Sequence, residues 1–233
     1  MITFPIAKIN LGLNVVERRA DGYHNLETVF YPVPVSDALE LTIMNPKFPS
    51  AVDCDIKVTN ISVEGDEQSN LVVRAYHLLK QDFQQMPRVH AHLFKGIPTQ
   101  AGMGGGSSDC AYTIRLLNEM FTLGLSDDQM ISYAARLGAD CPFFILSRPA
   151  YAEGIGERLQ PIETWREQLV NDFEQSVFVL HPEIAAVKER LYDLGAVYAA
   201  MSGSGSAVFG LFRSPVDLTA HFPPELFTYC HSL

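Results

Sequence analysis

The chain has 233 residues, 47% of them hydrophobic and 19% charged, enough to bury the core of one large domain or two modest ones and too apolar for a disordered or collagen-like chain. Seventeen Lys plus Arg against 27 Asp plus Glu give a net charge of -10, which argues against a nucleic-acid-coating protein and leaves any anion to be held by local geometry. No apolar run reaches the roughly 18 residues of a membrane span, no basic start precedes an apolar leader, and Cys54, Cys110, Cys141 and Cys230 show no CxxC spacing; a soluble cytoplasmic protein with free thiols, and no membrane or nucleic-acid partner, is expected.

Apolar alternation through Ile2, Phe4 and Ile6 resumes one residue out of phase at Ile9, Leu11, Leu13 and Val15. That slip predicts a strand interrupted by a bulge at Ala7-Lys8, with Lys8 the side chain redirected. A charged turn, Arg18 to His24, follows; its Asp-Gly suits a hairpin, and Tyr23 and His24 offer a stacking face and a hydrogen-bonding ring for a base or a sugar. Further strands are expected at Glu27 to Val33, Ala38 to Met44, Asp55 to Val63 and Val89 to Phe94. Ser69-Asn70 can cap a helix whose apolar positions are Leu71, Ala75, Leu78, Leu79 and Phe83. Asp109 to Phe121 reads as an amphipathic helix with Ala111, Ile114, Leu117 and Phe121 on its buried face. Ser126-Asp-Asp-Gln129 matches a capping box for a helix over 126–137, with Gly138 as a left-handed terminator. Leu137 to Phe144 then carries Asp140 ahead of Pro142 and an apolar strand. A helix starting at Pro182 and ended by Gly195, and strands at Val197 to Met201 and Ala207 to Phe212 around Ser202-Gly-Ser-Gly-Ser206, complete the pattern. No repeat or long linker is present, and the best seam is Gly154 to Glu157, which divides the chain into 1–157 and a smaller 158–233.

Pro98, Thr99, Gln100, Ala101, Gly102, Met103, Gly104, Gly105, Gly106, Ser107 and Ser108 lie between a predicted strand and a predicted helix. Glycines let backbone N–H groups converge on an anion, and a helix start adds unpaired donors and the positive end of its dipole. The loop is neither a Walker A loop, since no Lys-Ser or Lys-Thr follows the glycines, nor GxGxxG, since Ser107 stands at the last glycine. Asp140 suits a general base, and equally a turn residue bonded to its own backbone; Lys8 has the comparable alternative of a surface lysine at a strand edge. The histidines show no metal spacing, so metal ligands are unknown from the sequence.

Three segments in order, Ala7 to Leu13, Pro98 to Ser108 and Ala200 to Ser206, resemble the GHMP kinases, small-molecule kinases named for galactose, homoserine, mevalonate and phosphomevalonate. Arg19 to Val29 and Leu137 to Phe144 look like the branch acting on a methylerythritol that carries a cytidine diphosphate group, in non-mevalonate isoprenoid precursor synthesis. The resemblance implies a two-domain α+β fold with the active site in an inter-domain cleft, and transfer of the γ-phosphoryl group of ATP, with Mg²⁺, to the C2 hydroxyl of that substrate. It implies that Asp140 is the base and Lys8 the neighbouring charge, and that Asn70 and Lys95 lie near adenine while the glycine loop wraps the phosphates. By the same match Asn10, Tyr23 and His24 face the substrate, and Gly203, Ser204 and Gly205 pack by the phosphate loop. One departure stands out: near 160–170 a family strand and substrate-facing loop, with a second aromatic for cytosine, are missing. Another GHMP kinase acting on homoserine, mevalonate or a sugar, and a non-catalytic nucleotide-binding relative, are the alternatives.

Overall fold

The computed structural model describes residues 1–18, 24–45, 47, 50–63, 65–148, 150–152 and 169–231, with backbone alone at 14–18, 24–27 and 150–152. In chain order its strands are β1 (Ile2–Thr3), β2 (Ile6–Arg18), β3 (His24–Ser36), β4 (Ala38–Ile43), β5 (Cys54–Thr59), β6 (Val89–Phe94), β7 (Ala150–Ala152), β8 (Tyr198–Met201) and β9 (Val208–Leu211). Its helices are α1 (Leu71–Asp82), α2 (Gly105–Met120), α3 (Asp127–Ala135), α4 (Cys141–Leu146), α5 (Phe173–Leu180) and α6 (Pro182–Asp193). Helices and mixed sheets make the expected α+β class.

The chain clusters into two compact units, each discontinuous in sequence. The first comprises Met1–Ala7, Val33–Thr99 and Gly104–Arg148. Its sheet has the order β1-β4-β6-β5, with β1/β4 and β4/β6 antiparallel and β5/β6 parallel. A parallel pair needs a crossover, and α1 supplies it. Asn70 caps α1 by accepting from the Val72 N–H at 2.9 Å, and Val72, Val73, Ala75, Tyr76 and Leu79 form its buried stripe. These residues join Leu39, Leu41, Leu93, Ile114, Leu117 and Phe144 in the large core. The capping box expected for α3 is present, with Ser126 and Gln129 each accepting from the other's backbone N–H.

The second unit comprises Lys8–Pro32, Gln100–Met103 and Pro149–Leu233. It holds the sheet β2-β3-β7, the antiparallel pair β8/β9, and α5 and α6. Its core is smaller: Leu191, Ala196 and Ala199, with Tyr192, Val208 and Phe212 against them. Gly195 follows α6 at φ +95°, the left-handed terminator expected there.

Several expectations are corrected. β2 runs unbroken through Ala7-Lys8, and the interruption falls at Phe4-Pro5, where proline withholds a ladder N–H. The change of side is nonetheless visible: Ala7 and Lys8 are consecutive buried residues, after which Lys8, Asn10 and Gly12 are buried while Ile9 and Leu11 are half-buried. Cys141 to Leu146 is a short helix rather than a strand, with Pro142 in its first turn where a missing N–H costs nothing; six apolar residues carry no periodicity that separates the two. Gly138 is not left-handed. Its smallness serves packing, since a Cβ there would sit 3.0 Å from Cys141 Sγ. Helix α5 was not expected because its pattern is inverted, with Glu174 buried and Val179 and Leu180 exposed. The expected seam at Gly154 to Glu157 lies outside the described residues.

Candidate active site

In the first unit the phosphate-type loop is anchored where β6 ends. Asp37 Oδ1 accepts from the N–H groups of Gly96 (2.6 Å) and Ile97 (2.8 Å). A Cβ on Gly96 would lie 2.6 Å from the Ser36 carbonyl, so only glycine fits. Gly104 then takes a left-handed conformation (φ +69°) as the N-cap of α2, which has no side-chain cap. The helix therefore starts inside the glycine run, four residues earlier than expected, and its first N–H groups have no intrahelical acceptor. Among the described residues, and apart from α2's own backbone and the neighbours of Gly106, nothing but Leu71 Cδ1, at 3.8 Å, lies within 4 Å of a Cβ built on Gly106, which leaves room for a ligand against the backbone. Ser108 is buried, and its hydroxyl has no hydrogen-bond partner among the described residues. Open N–H groups, a helix dipole and a spare hydroxyl together form an anion cradle.

Lys95, expected near adenine, is 2% exposed, and its ammonium is paired with Asp37 and, at 2.8 Å, with Asp109. A Cβ on Gly105 would lie 3.3 Å from Lys95 Nζ. The lysine side chain thus supports the start of α2. Desolvation, and then Asp37, push the Asp109 carboxyl up to about 8 against the pull of Lys95, and the two carboxylates in turn raise Lys95 against its own burial. Asn70 spends its side-chain oxygen on the α1 cap. Asp140 is half-buried and heads α4 without forming a capping bond. Next to it, Cys141 is held below the ordinary thiol range by hydrogen bonds with Cys110 and Ser107. Cys110 is pushed up by the same bond and by burial.

In the second unit Lys8 and Asn10, 3% and 2% exposed, project from the buried side of β2. Lys8 Nζ donates to Asn10 Oδ1 at 2.5 Å, Asn10 Nδ2 donates to Thr28 Oγ1 at 2.9 Å, and the Thr28 hydroxyl donates to the Gly12 carbonyl at 2.6 Å. The Phe30 ring centroid lies 4.9 Å from the Lys8 ammonium. This chain fixes the direction of the ammonium. The third glycine motif packs against Gln100–Met103: Ala207 N–H donates to the Ala101 carbonyl at 3.0 Å, and the Ser202 hydroxyl to that of Gly102 at 3.2 Å. Asn171 secures the motif from the other side by donating to the carbonyls of Met201 (2.7 Å) and Gly203 (2.8 Å). Gly203 and Gly205 are buried and left-handed at φ +56° and +92°, and Ser204 is exposed. Tyr23 lies outside the described residues, and His24 opens β3.

The roles of Asp37, Thr28 and Asn171 escaped the sequence reading, and Ser202 was read only as part of the third glycine motif. Each is a common turn or strand residue whose importance comes from a distant partner. No group of three or more His, Cys, Asp or Glu residues arranged for a metal occurs among the described residues, and no described helix is long and apolar enough to cross a membrane.

Family models for the N-terminal and C-terminal domains of GHMP kinases match residues 70–148 and 152–220. A 4-diphosphocytidyl-2-C-methyl-D-erythritol kinase of Bacteroides fragilis is 45% identical, with 94% of each chain covered. The alignment runs over 263 positions, more than this chain has, so that relative contains residues with no counterpart here. The Parabacteroides distasonis protein of the same name is 41% identical over 99% of this chain and 97% of its own. A crystal structure of 4-(cytidine 5'-diphospho)-2C-methyl-D-erythritol kinase superposes with a TM-score of 0.72 at 32% identity, covering 92% of this chain and 91% of the other. A mevalonate kinase, at 11% identity and a TM-score of 0.60, shares the fold. With both domain models matched in order, the chain belongs to the GHMP kinases.

Proposed function

We propose that the chain transfers the γ-phosphoryl group of ATP to the C2 hydroxyl of 4-diphosphocytidyl-2-C-methyl-D-erythritol. The observation that carries the kinase reading is the glycine loop opening α2, with its uncapped N–H groups and the buried, unpartnered Ser108 hydroxyl. The choice of acceptor draws its support from the relatives' names and identities. An ATP donor also implies a cytoplasmic location.

Phosphoryl transfer asks little covalent chemistry of a protein and much positioning and charge neutralisation. The N–H groups of Gly105, Gly106 and Ser107, ahead of the first intrahelical bond from the Ser108 N–H to the Gly104 carbonyl, hold the nucleotide phosphates. The buried Ser108 hydroxyl, without a partner among the described residues, would be the hard oxygen donor to hold a Mg²⁺ ion, which would neutralise phosphate charge when bound. Asp140 collects the acceptor's proton, and the Lys8 ammonium, directed by Asn10, balances the negative charge that develops. Tyr23 and His24 receive the cytosine. Asn70 and Lys95 lie near the adenine.

Two measurements test the reading. ATP consumption is compared across alcohol acceptors with and without a cytidine diphosphate group; equal turnover without cytidine would overturn the acceptor. Asp140→Asn should lower turnover by roughly 10²- to 10⁴-fold in a folded protein that still binds both substrates. Adding Lys8→Met should cost much less than the product of the two single effects, because both residues serve one step. Activity of Asp140→Asn within about threefold of the parent would remove the base assignment.

A further inference from the structure

We propose that Asn171 is a positioning residue for phosphoryl transfer: by gripping the third glycine motif it seats Gly203 against Asn10, and through Asn10 it directs the Lys8 ammonium. The inference rests on the function proposed above and deepens it, adding a buried residue that acts through others.

The chain ahead of α5 runs beside β2. The Leu13 N–H donates to the Val170 carbonyl at 2.9 Å and the Asp172 N–H to the Leu13 carbonyl at 3.0 Å, a parallel bridge between Leu13 and Asn171. From there the Asn171 side chain, 3% exposed, reaches the stretch that follows β8. Its Nδ2 donates to the carbonyls of Met201 and Gly203, and its Oδ1 accepts from the Phe173 N–H at 3.0 Å at the start of α5. A carboxamide has two hydrogens, one for each carbonyl, and an oxygen left over for the helix; an aspartate in the same place would have no hydrogen to give. Glu174 braces the same stretch, accepting from the Met201 N–H while paired with Lys188.

What this clamp holds lies against the charged side chain of β2. A Cβ built on Gly203 would sit 3.4 Å from Asn10 Oδ1 and 3.5 Å from the Gly102 carbonyl oxygen. The bare Gly203 backbone therefore backs the very oxygen to which Lys8 Nζ donates. Around it the Asn10 N–H donates to the Ser202 hydroxyl at 3.2 Å, and the Lys8 N–H to the Met103 carbonyl at 3.0 Å. Without Asn171 the buried carbonyls of Met201 and Gly203 lose their side-chain donor, and the motif shifts toward other donors because an unpaired buried acceptor is costly. The Asn10 oxygen then loses its backing, and the ammonium turns with it. Misplacing a charge that balances the transferring group lowers turnover without changing how the nucleotide binds.

Asn171→Ser tests the proposal, since its hydroxyl can still accept from the Phe173 N–H but is too short to span two carbonyls. With ATP and the cytidyl acceptor, kcat per folded molecule should fall by about tenfold or more, and KM for ATP should stay within about twofold. In a Lys8→Met background the same substitution should cost less than about threefold, because the ammonium it directs is gone. Asn171→Asp keeps the size and the Phe173 bond and lacks only the hydrogens, so it should show the same pattern. Nitrogen NMR of protein isotopically labelled on its lysine side chains reads the ammonium directly. The Lys8 signal, assigned by its absence from Lys8→Met, should shift or broaden in both Asn171 variants. Gly195→Ala, which strains the end of α6 in the same unit, should lower the melting temperature and leave kcat and the Lys8 signal as in the parent. An unmoved Lys8 signal in both variants would overturn the proposal, as would equal losses of kcat with and without Lys8. A parent that turns over no acceptor would overturn the proposed function itself, and the Lys8 signal would then decide alone whether Asn171 directs the ammonium.

Discussion

Gly102 shows how one atom can decide a site. It is left-handed at φ +71°, and a Cβ there would sit 2.2 Å from the Ser202 carbonyl oxygen and 3.1 Å from that of Gly205. Both neighbours are backbone and cannot rotate away. Gly102→Ala should therefore destabilise the protein by about 2 kcal/mol or more and weaken ADP binding, as the loop moves off the third glycine motif. Gly195→Ala is the control: its φ is also positive, but nothing lies within 4 Å of the added Cβ, so it should cost about 1 kcal/mol and leave ADP binding unchanged. Urea denaturation and ADP titration of the two variants measure the difference, and equal losses would mean that the contact with Ser202 carries no weight. The need for glycine in the loop was legible from sequence. The carbonyl that enforces it at Gly102 was not, because it belongs to a residue 100 positions away.

At the scale of elements, helix ends were the most legible feature, because a cap is made by residues three or four apart. Ser126→Ala removes the oxygen that accepts from the Gln129 N–H and should cost about 1 kcal/mol by denaturant titration. Ser126→Asp, which also caps, should restore the stability; failure to do so would show that the serine acts otherwise. Helices α4 and α5 were read wrongly or missed for different reasons. In α4 six apolar residues run without a period, and Phe144 and Ile145 are buried whichever element forms. In α5 the buried side chain is Glu174, which accepts from the Met201 N–H at 2.7 Å and from Lys188 at 2.5 Å. A polar group made essential by β8 and α6 gives no hydrophobic period to detect.

For the whole molecule, the distribution of core predicts the distribution of stability. The first unit buries two dozen residues in one cluster, while the second centres on Leu191, Ala196 and Ala199. Native-state hydrogen exchange should find the amides of β8, β9 and α6 less protected than those of β4 and β6, and equal protection would contradict it. The sequence by itself determined the features that depend on near neighbours: the helix caps, the buried faces of α1 and α2, and the glycine loop between a strand and a helix. Together with the order of its motifs, these were enough to point to the family. Only the tertiary structure decided what the polar residues do. Lys95 meets Asp37 across 58 positions, and the Asn10 N–H donates to the Ser202 hydroxyl across 192. The physical reason is range. A hydrogen bond forms only near 3 Å, and a buried charge survives only beside its partner, so the role of such a residue is set by which distant segment the fold brings to it.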